Sequence, residues 1–214
     1  MSEAGRVIAG SARGRRLRAP GEGTRPFGDR VKQTLFAILE PDLPGARVLD
    51  LFAGSGAGGI EALSRGAAAA IFVERDGAAA RVIDDNLHAT GLSENARVVR
   101  GDAISYLKTA ADGPFDLVLL DPPYAETGLM EAALARLGAA EPPLLAHEAW
   151  VVAKHFWRTP PPPAAGLLAS VRNRRFGETA LTFYRLALEP STGEGSVEGV
   201  TGTDQAAGPQ EAAT

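Results

Sequence analysis

VLDLFAGSGAGGIEAL, residues 48–63, decides how the chain is read. An apolar run that begins at Arg47 and ends at Leu51 is followed by a glycine-rich turn. A helical pattern then opens at Gly58. Gly54, Gly56 and Gly59 satisfy the G-x-G-x-x-G spacing, which lets the chain turn sharply and lets a ligand approach the backbone. The same alternation continues outward. Ala70–Glu74, Arg97–Arg100, Leu117–Leu120 and Trp150–Ala153 read as further strands, and Gly58–Arg65, Gly77–Thr90 and Ala103–Ala111 as helices. Strands alternating with helices imply a Rossmann-like α/β fold: a doubly wound, mostly parallel sheet with helices on both faces. Leu167–Arg172 and Ala180–Leu188 are expected to close it as an antiparallel pair, giving seven strands.

Before this body, residues 29–39 place Val31, Leu35, Phe36, Ile38 and Leu39 at helical spacing, with Asp29 as the expected cap. Residues 5–18 contain two short strand-like pieces around small residues, a basic hairpin. Three segments result: a hairpin arm over 1–24, a main domain over 25–188 and a tail over 189–214. The tail holds five acids and no Lys or Arg, and is expected to be disordered. Pro160–Pro163 is read as a stiff surface connection.

The 214 residues are enough for one globular domain, and none is cysteine, so no disulfide framework or thiolate metal site can form. The three histidines, His88, His147 and His155, show no metal-ligand spacing, and no metal is expected. No apolar run approaches the length of a membrane span or a signal peptide, so a cytoplasmic protein is expected. The formal net charge of −4 hides an asymmetry. Residues 1–34 carry eight basic and three acidic side chains, a balance of +5 that suits contact with a polyanion.

Asp50 ends the first main strand, four residues before Gly54. A carboxylate there repels a pyrophosphate and suits a ligand bearing an ammonium group, such as the methionine portion of S-adenosylmethionine. Glu74, 20 residues after Gly54, can accept hydrogen bonds from two ribose hydroxyls. Asp102 ends the third strand, where it can meet an adenine amino group while the Ala103 backbone reaches a ring nitrogen. The residue directly precedes a helical stretch, so it can also be a helix cap, and one Asp can do both. D-x-F-A-G-S-G, with Phe52, Ala53, Gly54, Ser55 and Gly56, resembles the first motif of S-adenosylmethionine-dependent methyltransferases.

Asp121, Pro122, Pro123 and Tyr124 end the fourth strand, beside the first in a doubly wound order. D-P-P-Y resembles the fourth motif of methyltransferases that modify a planar nitrogen. An exocyclic amine is a poor nucleophile, because its lone pair is delocalised into the ring. The Asp121 carboxylate and the Pro122 carbonyl can accept its two N–H bonds and free the lone pair. The prolines hold that carbonyl still, and Tyr124 offers a face for a base.

R-P-x-x-D-R-V-K at 25–32, D-L-F-A-G-S-G at 50–56, I-E-A-L-S-R-G-A at 60–67, D-P-P-Y at 121–124 and F-G-E-T-A at 176–180 occur in this order. Together they resemble the bacterial 16S ribosomal RNA guanine-N2 methyltransferases of the RsmD type, from about Val7 to Leu186. The resemblance implies transfer of one methyl group from S-adenosylmethionine to guanine N2 of 16S ribosomal RNA; a small-subunit assembly particle is the expected form of that RNA, and a monomer the expected state of the chain. The chain departs from that pattern at Phe27 and Gly28, where Thr is usual, at Lys154, where Glu precedes the His, and at Phe176, where Tyr is usual. Arg13, Arg15, Arg16 and Arg18, with Arg174 and Arg175, are placed to grip phosphates. Arg25 belongs to the same set and, with Arg30, is placed to close the cofactor site. His155, Trp150 and Trp157 are read as packing residues. A DNA adenine-N6 methyltransferase, a protein-amide methyltransferase, an NAD-dependent oxidoreductase and a silent RNA-binding module remain the alternatives.

Overall fold

The computed structural model describes residues 3–21, 28–124, 126, 128–141 and 143–187. Arg25, Phe27 and the whole acidic tail lie outside them. Strands β1 (Glu3–Arg6) and β2 (Arg16–Arg18) form a separate antiparallel hairpin. Helix α1 (Asp29–Leu39) follows. The alternating body runs β3 (Arg47–Leu51), α2 (Ala57–Ser64), β4 (Ala69–Glu74), α3 (Gly77–Thr90), β5 (Ala96–Arg100), α4 (Ala103–Thr109), β6 (Phe115–Leu120), α5 (Leu129–Leu137) and β7 (Leu145–Phe156). The chain ends in β8 (Ala164–Ala165), β9 (Leu168–Phe176) and β10 (Thr179–Leu186).

The main sheet has the order β5-β4-β3-β6-β7-β10-β9-β8. Strands β3 to β7 run parallel, and β10, β9 and β8 close the edge antiparallel. The two-residue β8 adds an eighth strand to the seven expected. Because β3 leads to β4 on one side and β6 joins it on the other, a crevice opens at the carboxyl ends of these strands. Alternate side chains send the sheet into two cores. Val48, Phe72, Leu119 and Val152 pack with α1, α2 and α3; Leu49, Val73, Leu120 and Val151 pack with α4 and α5.

Several boundaries differ from the sequence reading. Gly28 is the N-cap of α1 and supplies no side chain; Asp29 is the first helical residue and reaches back to Arg6 at 3.4 Å. Helix α5 was not expected: it starts after Gly128 at φ 91° with no capping side chain to announce it. The proline run is pinned to the domain, since the buried Tyr184 hydroxyl donates to Pro162 O at 2.8 Å and the Ser170 N–H to Pro163 O at 2.8 Å.

The hairpin is bolted to the body rather than solvated. Ala4, Val7, Ala12 and Leu17 are buried in the core beside α1 and α2. The connection between its strands lies against the end of α2, where Gly10 (φ 83°) is needed because a Cβ would stand 1.7 Å from Ser64 O. Glu61, fully buried, accepts the N–H groups of Ile8 (2.8 Å) and Ala9 (3.1 Å). Ser64 Oγ donates to Ala9 O (2.6 Å) and accepts from Ala12 N (2.9 Å). Lys32 Nζ donates to Arg6 O and lies 4.0 Å from Glu61, whose other charged neighbour is Arg65 at 2.8 Å. Burial lowers the Lys32 pKa, and Glu61 and Asp29 oppose that shift. The motifs D-R-V-K and I-E-A-L-S-R-G therefore meet in one polar clamp. Backbone groups that would otherwise be orphaned find partners there.

Candidate active site

The crevice is a cavity of about 750 Å³, bordered by the ends of β3, β4 and β6 and by Pro20 and Gly21 after the hairpin. Its floor is the glycine turn. Phe52 adopts φ 61°, the left-handed region that a bulky residue enters at a cost of about 1 kcal/mol. Gly54 follows at φ 57°, and a Cβ there would meet nothing within 4 Å, so bare backbone borders the cavity. Gly59 has the opposite reason: a Cβ would lie 2.4 Å from the Phe72 ring, so only glycine lets α2 sit this close to β4.

Two acids brace this turn. Asp50 is 3% exposed and accepts from Gly59 N at 2.8 Å, tying the strand end to the first turn of α2. Burial pushes its carboxyl up to about 8 despite that bond, and the charges of Asp121 and Glu74 push the same way. Glu74 accepts from Gly54 N (2.8 Å) and Asp76 N (2.9 Å) with its two oxygens. Each oxygen keeps a further lone pair for a ligand hydroxyl. Asp102 caps α4 by accepting from Ser105 N at 2.8 Å, and that bond holds its carboxyl below the usual range. It borders the cavity as well, so the capping role and a ligand role are compatible.

The acceptor side is built at the end of β6. Asp121, Pro122, Pro123 and Tyr124 all border the cavity, and Tyr124 is 41% exposed. Register explains what stands beside them. Asp50 pairs with Leu119, and Leu119 with Val152. Two residues on, Asp121 and Lys154 share the sheet face that carries Asp50. Lys154 Nζ donates to Asp121 Oδ2 at 2.5 Å and lies 5.9 Å from the Tyr124 ring centroid. Burial raises the Asp121 carboxyl, and Lys154 pulls it back.

Phe52, Ala53, Gly54, Ser55 and Ala103 border the cavity as well. Gly56 does not; it is the N-cap of α2, at φ 77°, packed beneath the turn against Ile60 and Ile83. Arg30 does not either. It is exposed on the first turn of α1. Arg13, Arg15, Arg16 and Arg18 are exposed on the hairpin; Arg16 pairs with Glu3 (2.5 Å) and Arg18 with Asp85 (3.4 Å). Arg174 and Arg175 are exposed on β9. Arg175 stacks 3.6 Å from the centroid of Trp157, whose ring also has Arg158 at 5.0 Å. His155 is buried, bonded to Phe156 O and Thr182 Oγ1 at 2.9 Å each, and burial lowers its pKa.

Sequence reading missed Asn86. Its amide donates to Arg18 O (3.0 Å) and Ser55 O (2.9 Å) and accepts from Arg18 N (2.8 Å), linking hairpin, α3 and glycine turn. Nothing in the pattern of α3 marks it, because both partners are remote in sequence. Arg75 also went unremarked; it borders the cavity and forms a forked ion pair with Glu126.

The charged residues bordering the cavity are Asp50, Glu74, Asp76, Asp102 and Asp121 against Arg75 and Lys154. An excess of carboxylates disfavours a pyrophosphate and fits a cationic ligand, so S-adenosylmethionine suits this crevice better than a dinucleotide.

A glycine turn, an acid after the second strand and an Asp-Pro-Pro-Tyr strand end on one crevice define a class I methyltransferase fold of the Rossmann type. Structures of known proteins agree. The Escherichia coli protein described as "Putative methyltransferase yhhF" superposes with a TM-score of 0.76 at 38% identity, covering 87% of this chain and 100% of that one. The Haemophilus influenzae protein described as "putative methylase HI0767" gives 0.73 at 34% identity, over 88% and 100%. Among curated proteins, YlbH of Bacillus subtilis (strain 168), named a "Putative rRNA methyltransferase", is 41% identical over 183 residues, 84% of this chain and 98% of that one. "Ribosomal RNA small subunit methyltransferase D" of E. coli (strain K12) is 47% identical over 127 residues, 59% of this chain and 63% of that one. Residues 5–185 match the family described as "Conserved hypothetical protein 95". The chain belongs to that family, the RsmD type that its motifs resemble.

Proposed function

We propose that the protein is an S-adenosylmethionine-dependent methyltransferase acting on the exocyclic N2 of a guanine in 16S ribosomal RNA. The observation that carries the reading is the meeting of two strand ends. Asp121 and Pro122 border the same cavity as Asp50, Glu74 and the bare Gly54 backbone. The names of the E. coli and B. subtilis relatives support ribosomal RNA as the substrate.

In this reading Glu74 takes the ribose hydroxyls, Asp102 and the Ala103 backbone take the adenine edge, and Asp50 faces the methionine ammonium. Phe52, Ala53, Ser55 and Gly56 shape the turn around them. S-adenosylmethionine, when bound, supplies an activated methyl group on a positively charged sulfur. The chain's own work is on the acceptor. Asp121 accepts one N–H of the guanine amine and the Pro122 carbonyl the other, which draws the nitrogen out of conjugation and aims its lone pair. Pro123 stiffens the corner, and Tyr124 stacks on the base. The proton that the nitrogen must lose has Asp121 beside it. The exposed arginines of the hairpin and of β9 hold phosphates around the flipped base.

The test is mass spectrometry of nucleosides after incubation with isotope-labelled S-adenosylmethionine, offering naked 16S RNA, assembling small subunits, DNA and protein in parallel. Label on guanine N2 of the RNA is expected, and the particle-versus-naked comparison identifies the substrate form. Label confined to adenine, DNA or protein overturns the reading.

A further inference from the structure

We propose that Lys154 is a positioning residue for methyl transfer: its ammonium clamps one oxygen of Asp121, so that the other oxygen is presented to an N–H of the acceptor amine. This rests on the acceptor role proposed above for Asp121. The geometry is specific. Lys154 comes from β7, the strand next to β6, and its side chain is only 7% exposed. A lysine is rarely buried to this degree unless its charge is matched. Its Nζ meets Asp121 Oδ2 at 2.5 Å, whereas the Asp121 side chain remains 20% exposed at the cavity it borders. One face of the carboxylate is thus occupied by protein and the other is turned to the crevice. The same ammonium sits 5.9 Å from the Tyr124 ring, within cation–π reach, so a single cation ties together the acid and the stacking ring.

The charge has a second consequence. Among the described residues, the ionisable groups set against Asp121 include Asp50 from β3, Lys154 from β7 and Tyr124 from its own loop. Asp50 is an acid, so Lys154 is the cation among them that favours the ionised, proton-free form of Asp121, the form able to accept an amine N–H. Removing Lys154 leaves a half-buried carboxyl beside another acid, and the proton it then takes blocks the acceptor site.

Lys154→Met removes the charge at similar length, and Lys154→Arg keeps it. With 16S RNA substrate, Lys154→Met is expected to lower kcat about 100-fold. The KM for RNA and the Kd for S-adenosylhomocysteine should stay within about threefold. The acid limb of the kcat–pH profile, and the Asp121 carboxyl followed by carbon-13 NMR, should both move to higher pH. Lys154→Arg should recover most of the rate. Should Lys154→Met not fold, Lys154→Gln, which keeps an N–H for Oδ2 but no charge, is held to the same expectations. A kcat within tenfold of wild type, an unmoved Asp121 titration, or an arginine variant as slow as the methionine one overturns the proposal. If the wild-type protein puts no label on guanine N2, the functional reading falls instead. The NMR titration still decides whether Lys154 controls the Asp121 carboxyl.

Discussion

The two strand ends that form the crevice carry the same residue in opposite settings. Asp50, at the end of β3, is answered by a backbone N–H at the start of α2 and, among the described residues, by no cation. Asp121, at the end of β6, is answered by a buried ammonium. The first carboxyl is pushed up to about 8, so it is poised to ionise when a positive ligand arrives. The second has its counter-charge built in and does not wait for the cofactor. One acid thus suits recognition of a cation, and the other suits accepting hydrogen bonds from a neutral amine. Two identical side chains, less than a sheet's width apart, acquire different chemistry from what stands beside them.

Removing the Asp121 carboxylate should have the largest effect. Asp121→Ala is expected to lower turnover about 1000-fold, as losing one aimed transition-state group does, while isothermal calorimetry finds cofactor Kd within threefold. Unchanged turnover would erase the contrast between the two acids. Asp50→Asn keeps an acceptor for Gly59 N–H but loses the charge. It should weaken S-adenosylmethionine binding about tenfold, the difference between a charged and a neutral hydrogen bond. A proportionate loss in kcat at saturating cofactor would move Asp50 to the chemical step.

The raised Asp50 carboxyl also makes a prediction in pH. An acid that holds its proton longer in the folded chain than in the unfolded one stabilises the fold at low pH. That contribution is lost as pH rises from about 4 toward about 8. The melting temperature of the cofactor-free protein should therefore fall across that window, more steeply than in Asp50→Asn. Affinity for the cationic cofactor should rise over the same range. A flat difference between the two melting curves would mean Asp50 is already ionised. The smallest effect belongs outside the crevice. Arg13→Ala with Arg15→Ala should raise the KM for RNA several-fold and shallow its salt dependence, with kcat unchanged.

Much of the site was legible because its parts are local. The glycine spacing, Asp50, Glu74 and the Asp-Pro-Pro-Tyr corner each declare themselves within a strand and its following turn. The diagnostic segments were legible as text but not as structure. Glu61 and Ser64 stood in the sequence only as letters of the I-E-A-L-S-R-G-A motif, yet they clamp a hairpin more than 50 residues earlier in the chain. Lys154 was visible only as a departure, and Arg30 was drawn toward the cofactor by its place in a motif rather than by geometry.

Period and turn chemistry, which act over a few residues, determined the parallel α/β body, its glycine turn and the identity of the two acids. Strand order and register decided the rest. Only when β7 pairs with β6 does an ammonium stand against Asp121, and only when α2 and α3 receive the hairpin does Asn86 brace the glycine turn. Those contacts join residues 31 to 68 positions apart. The energy that selects them comes from burial across the whole domain, which no short stretch of sequence contains.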